Sequence, residues 1–210
     1  MSTRILLARH GGTLWSNEDR FAGSTDIDLS DEGRAQAMAL GQRLAGEMID
    51  AVCCSPMKRA IETATLAMGS RPLELHPVPD LREIDHGLWE GKRHAEVESQ
   101  YATEYTAWDA DPFLAPPPGG ESGLRVLARA LPALRQIVID HPGQTVLVVS
   151  HKATNRLLLC SLLGIDPRLY REKVTQDLAC LNVLIFKTPS AARVALMNDI
   201  SHYAKVLSPQ

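Results

Sequence analysis

The chain of 210 residues has no apolar stretch near the ~20 residues that cross a bilayer. Its first apolar run, at residues 5–8, is too short for a signal-peptide core and leads directly into a motif. Basic residues are not in excess, because 22 Lys and Arg stand against 25 Asp and Glu, for a net charge of −3. These absences predict a cytoplasmic protein and argue against general binding to nucleic acid or to a membrane surface.

Cysteine is scarce, and the chain contains no CxxC pair. The four cysteines are Cys53, Cys54, Cys160 and Cys180. This pattern predicts buried thiols in a reducing compartment rather than a zinc site. The seven histidines show neither HExxH nor the spacing of an established metal site. We therefore expect a protein that works without a metal ion or a cofactor.

Apolar runs alternate with helical patterns along the chain. Buried strands are predicted at 4–8, 50–54, 145–149 and 181–186, with weaker candidates at 73–78 and 193–197. One helix is predicted from the cap residue Ser30 to a stop at Gly46, and another covers 153–163 and stops at Gly164. A helix between them contains Pro132, which predicts a kink or a split. The alternation predicts an α/β fold, a three-layer α/β/α sandwich with a mainly parallel sheet.

Residues 82–122 break this alternation. Trp and Tyr residues are concentrated between positions 89 and 108, and a turn-rich segment with three consecutive prolines follows. We interpret the stretch as a helical lid insertion over one end of the sheet, within a single domain of residues 1–210. Trp89 and Trp108 are expected to pack the lid or to line a pocket beneath it. A surface excursion without a catalytic role is the alternative.

Charged side chains follow the ends of several predicted strands, where ligands bind in open α/β sheets. They are Arg9, His10, Arg59, Glu83 and His151. Arg59 falls in the first turn of a helix that Ser55 is expected to cap and Pro56 to start. The set suits phosphoryl transfer. A neutral imidazole can attack phosphorus, and guanidinium groups can bind the phosphoryl oxygens.

A carboxylic acid in such a site can protonate the leaving alkoxide and then deprotonate a water molecule. A second, protonated histidine adds a hydrogen-bond donor to the phosphoryl group. The Gly11–Gly12 pair is expected to let backbone amides approach the anion. The sequence therefore favours two-step transfer through a phosphohistidine without a metal ion.

Seven segments of the chain strengthen this interpretation. In chain order they are LLARHGGTLW, RFAGSTDIDLSDEG, SPMKRAIETA, LREIDHGLWEG, PPGGES, VVSHKATNRLLL and NDISHY. Together they resemble the signature of the histidine phosphatase superfamily, which includes the cofactor-dependent phosphoglycerate mutases. The resemblance implies that His10 is the phosphorylated nucleophile and that Arg9 and Arg59 bind phosphate. It also implies Glu83 as proton donor and acceptor and His151 as the second histidine of the pocket.

Further residues are expected to contact the substrate. They are Gly11, Thr13, Ser16, Asn17, Gly23, His86 and Lys152. The phosphate-contacting Asn of the family falls at Ser16, with Asn17 one place later, so either side chain could donate that hydrogen bond. Lys152 stands where the family often has Gly, and it either touches an anionic substrate or is a solvated lysine at a helix start.

Three other groups are open to two interpretations. His86 and His202 either bind a substrate carboxylate or are structural. Lys92, Arg93 and His94 form a small basic cluster on the lid, which either attracts anionic substrate or is simply solvated. The resemblance alone does not choose between these alternatives.

The predicted function is that of a metal-independent phosphomonoesterase for a small metabolite, such as phosphoserine, a phosphoglycerate derivative or a sugar phosphate. The short chain and the form of LREIDHGLWEG favour hydrolysis over phosphoglycerate mutase activity. A catalytically silent module that binds a phospho-ligand is an alternative of another class, but all five implied catalytic residues are present. A homodimer formed through a sheet edge is a further expectation.

Overall fold

A computed structural model of the protein describes residues 2–16 and 18–204. The strands are β1 (Thr3–Arg9), β2 (Ala51–Cys54), β3 (Leu75–Pro77), β4 (Thr145–Ser150), β5 (Leu181–Thr188) and β6 (Ala191–Asp199). They form one sheet in the order β3-β2-β4-β1-β5-β6. The first four strands of this order are parallel, while β5 is antiparallel to both β1 and β6. The sheet is therefore mixed, with a parallel part and an antiparallel hairpin at one edge.

Helices cover both faces of the sheet. They are α1 (Asp31–Arg43), α2 (Lys58–Met68), α3 (His94–Gln100), α4 (Ala102–Ala110), α5 (Gly123–Asp140), α6 (Lys152–Leu163) and α7 (Tyr170–Lys173). Alternate residues of β1 point to opposite faces, so Ile5 packs with α5 and α6, whereas Leu6 packs with α1 and α2. This arrangement confirms the predicted three-layer α/β/α sandwich.

The helix signals in the sequence are partly correct. Ser30 caps α1, because its Oγ accepts a hydrogen bond of 3.0 Å from the Gly33 N–H, but α1 ends at Arg43, before Gly46. Gly164 terminates α6 with a left-handed φ of 69°, as predicted. Pro132 lies inside a continuous α5, so the helix is not split there. The buried apolar face of α5 packs against the sheet, and this tertiary contact outweighs the local cost of proline.

Helix α2 begins two residues later than the sequence predicted, so the predicted start at Pro56 is wrong. The helix begins at Lys58 with Met57 as its cap, and Pro56 lies before it. Ser55 is fully buried, and its Oγ accepts a bond of 3.3 Å from the Met57 N–H. The same oxygen lies 2.7 Å from Nε2 of His151, so Ser55 joins α2 to the end of β4.

The segment 82–122 holds α3 and α4 and has its own small core. Phe21, Trp89, Val97 and Trp108 are buried there, with Tyr101 and Tyr105 packed against them. The four cysteines are free and buried. No helix in residues 2–16 and 18–204 is both long and apolar enough to cross a bilayer. The cytoplasmic location and the homodimer stay predictions.

Candidate active site

A cavity of about 470 Å³ opens beyond the carboxyl ends of β1 and β4. Four of the five predicted catalytic residues line it, namely Arg9, His10, Arg59 and Glu83. The fifth, His151, lies behind His10, with 5.1 Å between the two ring centroids. Residues that are far apart in sequence therefore meet at one edge of the sheet, as the strand ends predicted.

The backbone fixes His10 in one tautomer. Its Nδ1 lies 2.7 Å from the Gly11 carbonyl, which can only accept, so Nδ1 carries the proton and Nε2 keeps its lone pair. The residue is 6% exposed, and its backbone N–H donates to the Ser150 carbonyl at 3.0 Å. Burial, reinforced by Arg59 and Arg9, holds the pKa of His10 well below its usual value. The imidazole is therefore neutral and nucleophilic at neutral pH.

Two guanidinium groups, of the buried Arg59 and the partly buried Arg9, line the cavity together with His10. Arg59, in the first turn of α2, donates to the carbonyls of Gly23 at 2.7 Å and Thr25 at 2.9 Å. Arg9 donates to the Gln176 carbonyl at 2.7 Å. Within the described part of the chain, neither guanidinium has a carboxylate oxygen within 4.0 Å. Both side chains therefore keep their full positive charge, which suits the binding of phosphoryl oxygens.

Glu83 is held by the first turn of α6. Its carboxylate accepts N–H bonds from Ala153 at 3.1 Å, from Thr154 at 3.2 Å and from its neighbour Ile84 at 3.0 Å. The side chain is 5% exposed and lines the cavity. Because the N-terminus of a helix favours negative charge, α6 fixes this carboxylate at the edge of the cavity.

Arg129 on α5 holds the backbone around Glu83 through three hydrogen bonds to carbonyl oxygens. It donates to the carbonyls of Asp80 and Arg82 at 2.8 Å and of Glu83 at 3.0 Å. Its guanidinium also bonds both carboxylate oxygens of Glu121, at 3.0 and 2.8 Å. Sequence reasoning missed this clamp, although Glu121 belongs to the PPGGES segment that carried part of the resemblance.

His151 caps α6, and its ring bonds Ser55 through Nε2. Burial, followed by the charges of Arg59, His10 and Arg9, holds the pKa of His151 well below its usual value. The ring is therefore neutral in the free protein, whereas the sequence argument expected a protonated ring. A bound phosphoryl dianion would act in the opposite direction and raise this pKa.

The predicted substrate contacts divide into two groups. Thr13, Ser16, His86 and Lys152 line the cavity. Ser16 Oγ accepts the Thr13 N–H at 2.8 Å, and Asn17 lies outside the described residues. Of the two residues predicted to make the family's phosphate contact, Ser16 is therefore the one that the structure describes.

The cavity lining does not include Gly11 and Gly23, and their contact with a substrate stays a prediction. The Gly11 N–H donates to Thr63 Oγ1 at 3.1 Å, so it does not point at an anion. Gly12 likewise donates to Gln36 Oε1 at 3.0 Å. Gly23 instead supplies the carbonyl that holds Arg59. The amides of these glycines therefore donate to protein side chains, with Glu90 as the partner of Gly23 at 3.2 Å.

The structure places part of the basic cluster at the cavity and the C-terminal histidine away from it. His94 begins α3 and lines the cavity, stacked on Phe21 at 4.1 Å between centroids. Trp108 both packs the lid and lines the cavity, whereas Trp89 only packs the lid. His202 lies outside the cavity lining, with Nε2 at 3.1 Å from the Ala179 carbonyl.

Sequence reasoning missed several residues of the wall. They are Trp15, Asp19, Arg20, Phe21, Arg156, Tyr170 and Arg171. Arg156 carried a usable signal, because it stands four residues after Lys152 and so shares one face of α6 with it. The residues of α7 carried no such signal, since they follow no predicted strand. No group of three or more His, Cys, Asp or Glu in the described ranges could hold a metal ion, and metal independence stays a prediction.

Comparisons with known proteins agree on one family. The model of the histidine phosphatase superfamily (branch 1) matches residues 5–200. Phosphoserine phosphatase 1 of Hydrogenobacter thermophilus is 36% identical over 163 residues, which are 78% of this chain and 77% of that protein. Adenosylcobalamin/alpha-ribazole phosphatase of Escherichia coli is 32% identical over 161 residues, covering 77% and 79%.

Solved structures give the same result. YhfR of Bacillus stearothermophilus superposes with a TM-score of 0.89 at 32% identity, covering 95% of this chain and 98% of that one. Three further relatives at 36% identity are longer proteins, and the chain spans 55% of their length. The similarity therefore extends over nearly all of this chain, in sequence and in fold.

Proposed function

Because the chain belongs to the histidine phosphatase superfamily, we propose that it hydrolyses phosphate monoesters of a small metabolite through a phosphohistidine at His10. Phosphoserine and α-ribazole phosphatases are among its relatives, so phosphomonoester hydrolysis is their common chemistry. The observation that carries the proposal is the state of His10, a neutral ring with its Nε2 lone pair free between two unneutralised guanidinium groups.

In the first step, Nε2 of His10 attacks phosphorus. An N–P bond forms while the bond from phosphorus to the ester oxygen breaks. Arg9 and Arg59 bind the equatorial oxygens, where negative charge is concentrated in the transition state. Glu83, which must enter this step as the carboxylic acid, gives its proton to the leaving alkoxide.

In the second step, a water molecule attacks the phosphohistidine. The carboxylate of Glu83 now accepts a proton from that water, the N–P bond breaks, and His10 returns to its neutral form with inorganic phosphate as product. Two displacements at phosphorus give net retention of configuration. A mutase would instead return the phosphoryl group to a bound alcohol, so the fate of the phosphohistidine separates hydrolysis from isomerisation.

The first test measures free phosphate and isomerised product from a panel of phosphomonoesters, with and without a chelator. We expect phosphate release that the chelator leaves unchanged, and loss of nearly all turnover in His10→Ala, because no covalent intermediate can form. His76→Ala, which removes an exposed histidine on β3, is the matched control. Activity that depends on a divalent ion, or substantial turnover by His10→Ala, would contradict the mechanism, and isomerisation without release would assign a mutase.

Glu83→Gln tests the proton donor. We expect kcat/KM for alkyl phosphates to fall by about 10²- to 10⁴-fold, because the alkoxide leaves poorly without a proton. Aryl phosphates should lose much less, since a phenolate needs little protonation. Glu74→Gln, an exposed carboxylate before β3, is the control. Equal losses for both ester types in single-turnover measurements of the first step would exclude Glu83 as the acid.

A further inference from the structure

We propose that Lys152, Arg156 and Arg171 form a second anion subsite, which selects phosphomonoesters whose alcohol carries a carboxylate or a second phosphoryl group. The inference rests on the proposed function and specifies its substrate class. It concerns the part of the cavity beyond His10, between the start of α6, α7 and the aromatic side chains of the lid.

The first argument is that the cavity holds more positive charge than one phosphoryl group needs. Its cationic lining residues are Arg9, Arg20, Arg59, Lys152, Arg156 and Arg171. Its carboxylates are Asp19 and Glu83, and the oxygens of Glu83 are already bonded by N–H groups of α6. Arg9 and Arg59 account for the phosphoryl group, which leaves the cations on α6 and α7 for a second anion.

The second argument is that two of these cations lack a protein counter-ion. Several arginines outside the cavity make ion pairs, as Arg34 does with Asp31 and Glu62. Lys152 and Arg156 have no Asp or Glu oxygen within 4.0 Å in the described part of the chain. Arg156 Nε is buried and has no hydrogen-bond partner there. Because an unpaired, partly desolvated cation is costly, a bound anion offsets this cost.

The third argument is placement next to the phosphoryl site. Lys152 and Arg156 are four residues apart on α6 and share one face, in the turn whose N–H groups hold Glu83. Although Lys152 reaches solvent, partial burial and then the charges of Arg9 and Arg156 lower its pKa. The two cations therefore line the same cavity as the residues that are proposed to bind the phosphoryl group.

Arg171 closes the far side of this subsite. Its guanidinium lies 4.4 Å from the centroid of the Trp108 ring and donates to Asp109 Oδ1 at 3.0 Å. Its Nη1 is buried and has no partner in the described ranges. The stacking and the ion pair fix the orientation of the group, while one N–H edge stays available for a ligand.

The test compares esters that differ only in the second charge. One pair is 3-phosphoglycerate and glycerol 3-phosphate, and the other is propane-1,3-diol bisphosphate and 3-hydroxypropyl phosphate. An aryl phosphate reports on the phosphoryl machinery alone. We expect the wild-type protein to prefer the charged member of at least one pair by about 10-fold or more in kcat/KM. The preferred pair then distinguishes a carboxylate from a second phosphoryl group.

Lys152→Gln and Arg156→Gln should each reduce that preference by up to about 10-fold, chiefly through KM, because each removes a charge-assisted hydrogen bond. Turnover of the aryl phosphate, which has no second anion, should fall much less than turnover of the charged ester. Lys152 is exposed, so its variant should fold normally even if Arg156→Gln does not. Arg168→Gln, which removes an exposed arginine outside the cavity lining, is the matched control.

Two results would overturn the subsite while leaving the proposed function intact. One is equal kcat/KM for both members of each pair. The other is a preference for the charged ester that both variants retain. Failure to hydrolyse any ester, the aryl phosphate included, would instead overturn the proposed function and this inference with it.

Discussion

Arg59 shows how a single residue can be buried and still carry usable charge. Its guanidinium is anchored by two backbone carbonyls rather than by a carboxylate, so no anion neutralises it. Arg9 is anchored in the same way by the Gln176 carbonyl. Both charges help to lower the pKa of His10, after burial itself. The two groups proposed to bind the phosphoryl oxygens therefore also keep the nucleophile unprotonated.

Arg59→Lys tests this arrangement. We expect kcat/KM for an aryl phosphate to fall by about 10²- to 10³-fold, because an ammonium group cannot bond two carbonyls and a phosphoryl oxygen in one plane. Steady-state kinetics and the Tm of the same preparation give the readout. Arg34→Lys, on the neighbouring helix α1, should leave activity within about threefold of the wild type, since its ion pairs are largely exposed. Activity of Arg59→Lys at that control level would contradict the assigned role.

At the residue scale, the sequence predicted the location of the candidate catalytic side chains better than it predicted the hydrogen bonds of the nearby backbone amides. Arg9, His10 and Glu83 meet in one cavity because strand ends of a parallel sheet share an edge. The amides of Gly11 and Gly12 were expected to face an anion, yet they bond Thr63 and Gln36. Those partners come from α2 and α1, and no local pattern reveals which side chain will reach a loop amide.

At the scale of elements, the loop after β1 is fixed by close contact with the start of α1. A Cβ on Gly33 would lie 1.9 Å from the Gly12 carbonyl oxygen, and a Cβ on Gly11 would lie 2.4 Å from the Gly33 oxygen. Both contacts are between backbones, so no side chain can move aside. The position of His10 therefore depends on a glycine at position 33, in the first turn of α1, where any side chain would collide with the loop.

Gly33→Ala should lower the free energy of unfolding by about 1–3 kcal/mol, because the methyl group forces the loop and helix apart. Activity should fall in the same variant, since the loop supplies the Gly11 carbonyl that sets the tautomer of His10. Urea denaturation and aryl phosphate turnover measure the two effects. Gly46→Ala is the control, because a Cβ there meets nothing within 4 Å. Equal free energies of unfolding for Gly33→Ala and Gly46→Ala would mean that the close backbone contact between Gly12 and Gly33 does not constrain the loop.

Elements were predictable where a local signal and tertiary packing agree. The Ser30 cap and the Gly164 stop are such cases. They disagree at Pro132, where the apolar face of α5 against the sheet keeps the helix continuous. The local signal and the tertiary packing also disagree at Ser55. Its hydroxyl bonds the ring of His151, and α2 begins at Lys58. Both errors arise from long-range contacts, which a reading of neighbouring residues does not contain.

At the scale of the whole molecule, net charge and site charge have opposite signs. The chain carries −3 overall, yet more cations than carboxylates line its cavity. Composition therefore argues against a general polyanion binder but not against a site for a small anion. A concave, cationic cavity also raises the local concentration of anionic substrate, an effect that falls with ionic strength.

The buried and partly buried histidines make the free energy of unfolding depend on pH. Burial is the largest cause of a lowered pKa at His10, His86, His94, His151 and His202. In the unfolded chain these rings take up protons as the pH falls through about 6.5, whereas the folded protein resists doing so. The unfolded state then binds more protons, so the free energy of unfolding must decrease as the pH falls below about 6.5.

We expect full stability above about pH 7 and a progressive loss from about pH 6.5 to 5, with a slope of up to about 1.4 kcal/mol per pH unit for each histidine involved. Urea denaturation at half-unit steps measures it. The variant His10→Gln/His151→Gln should flatten the curve in this range, because it removes the two histidines with the largest pKa shifts. His76→Gln removes an exposed histidine and is the matched control. A wild-type curve that is level between pH 7 and 5 would mean that these rings take up protons in the folded protein as readily as in the unfolded chain, and His10 would then not be held neutral by its site.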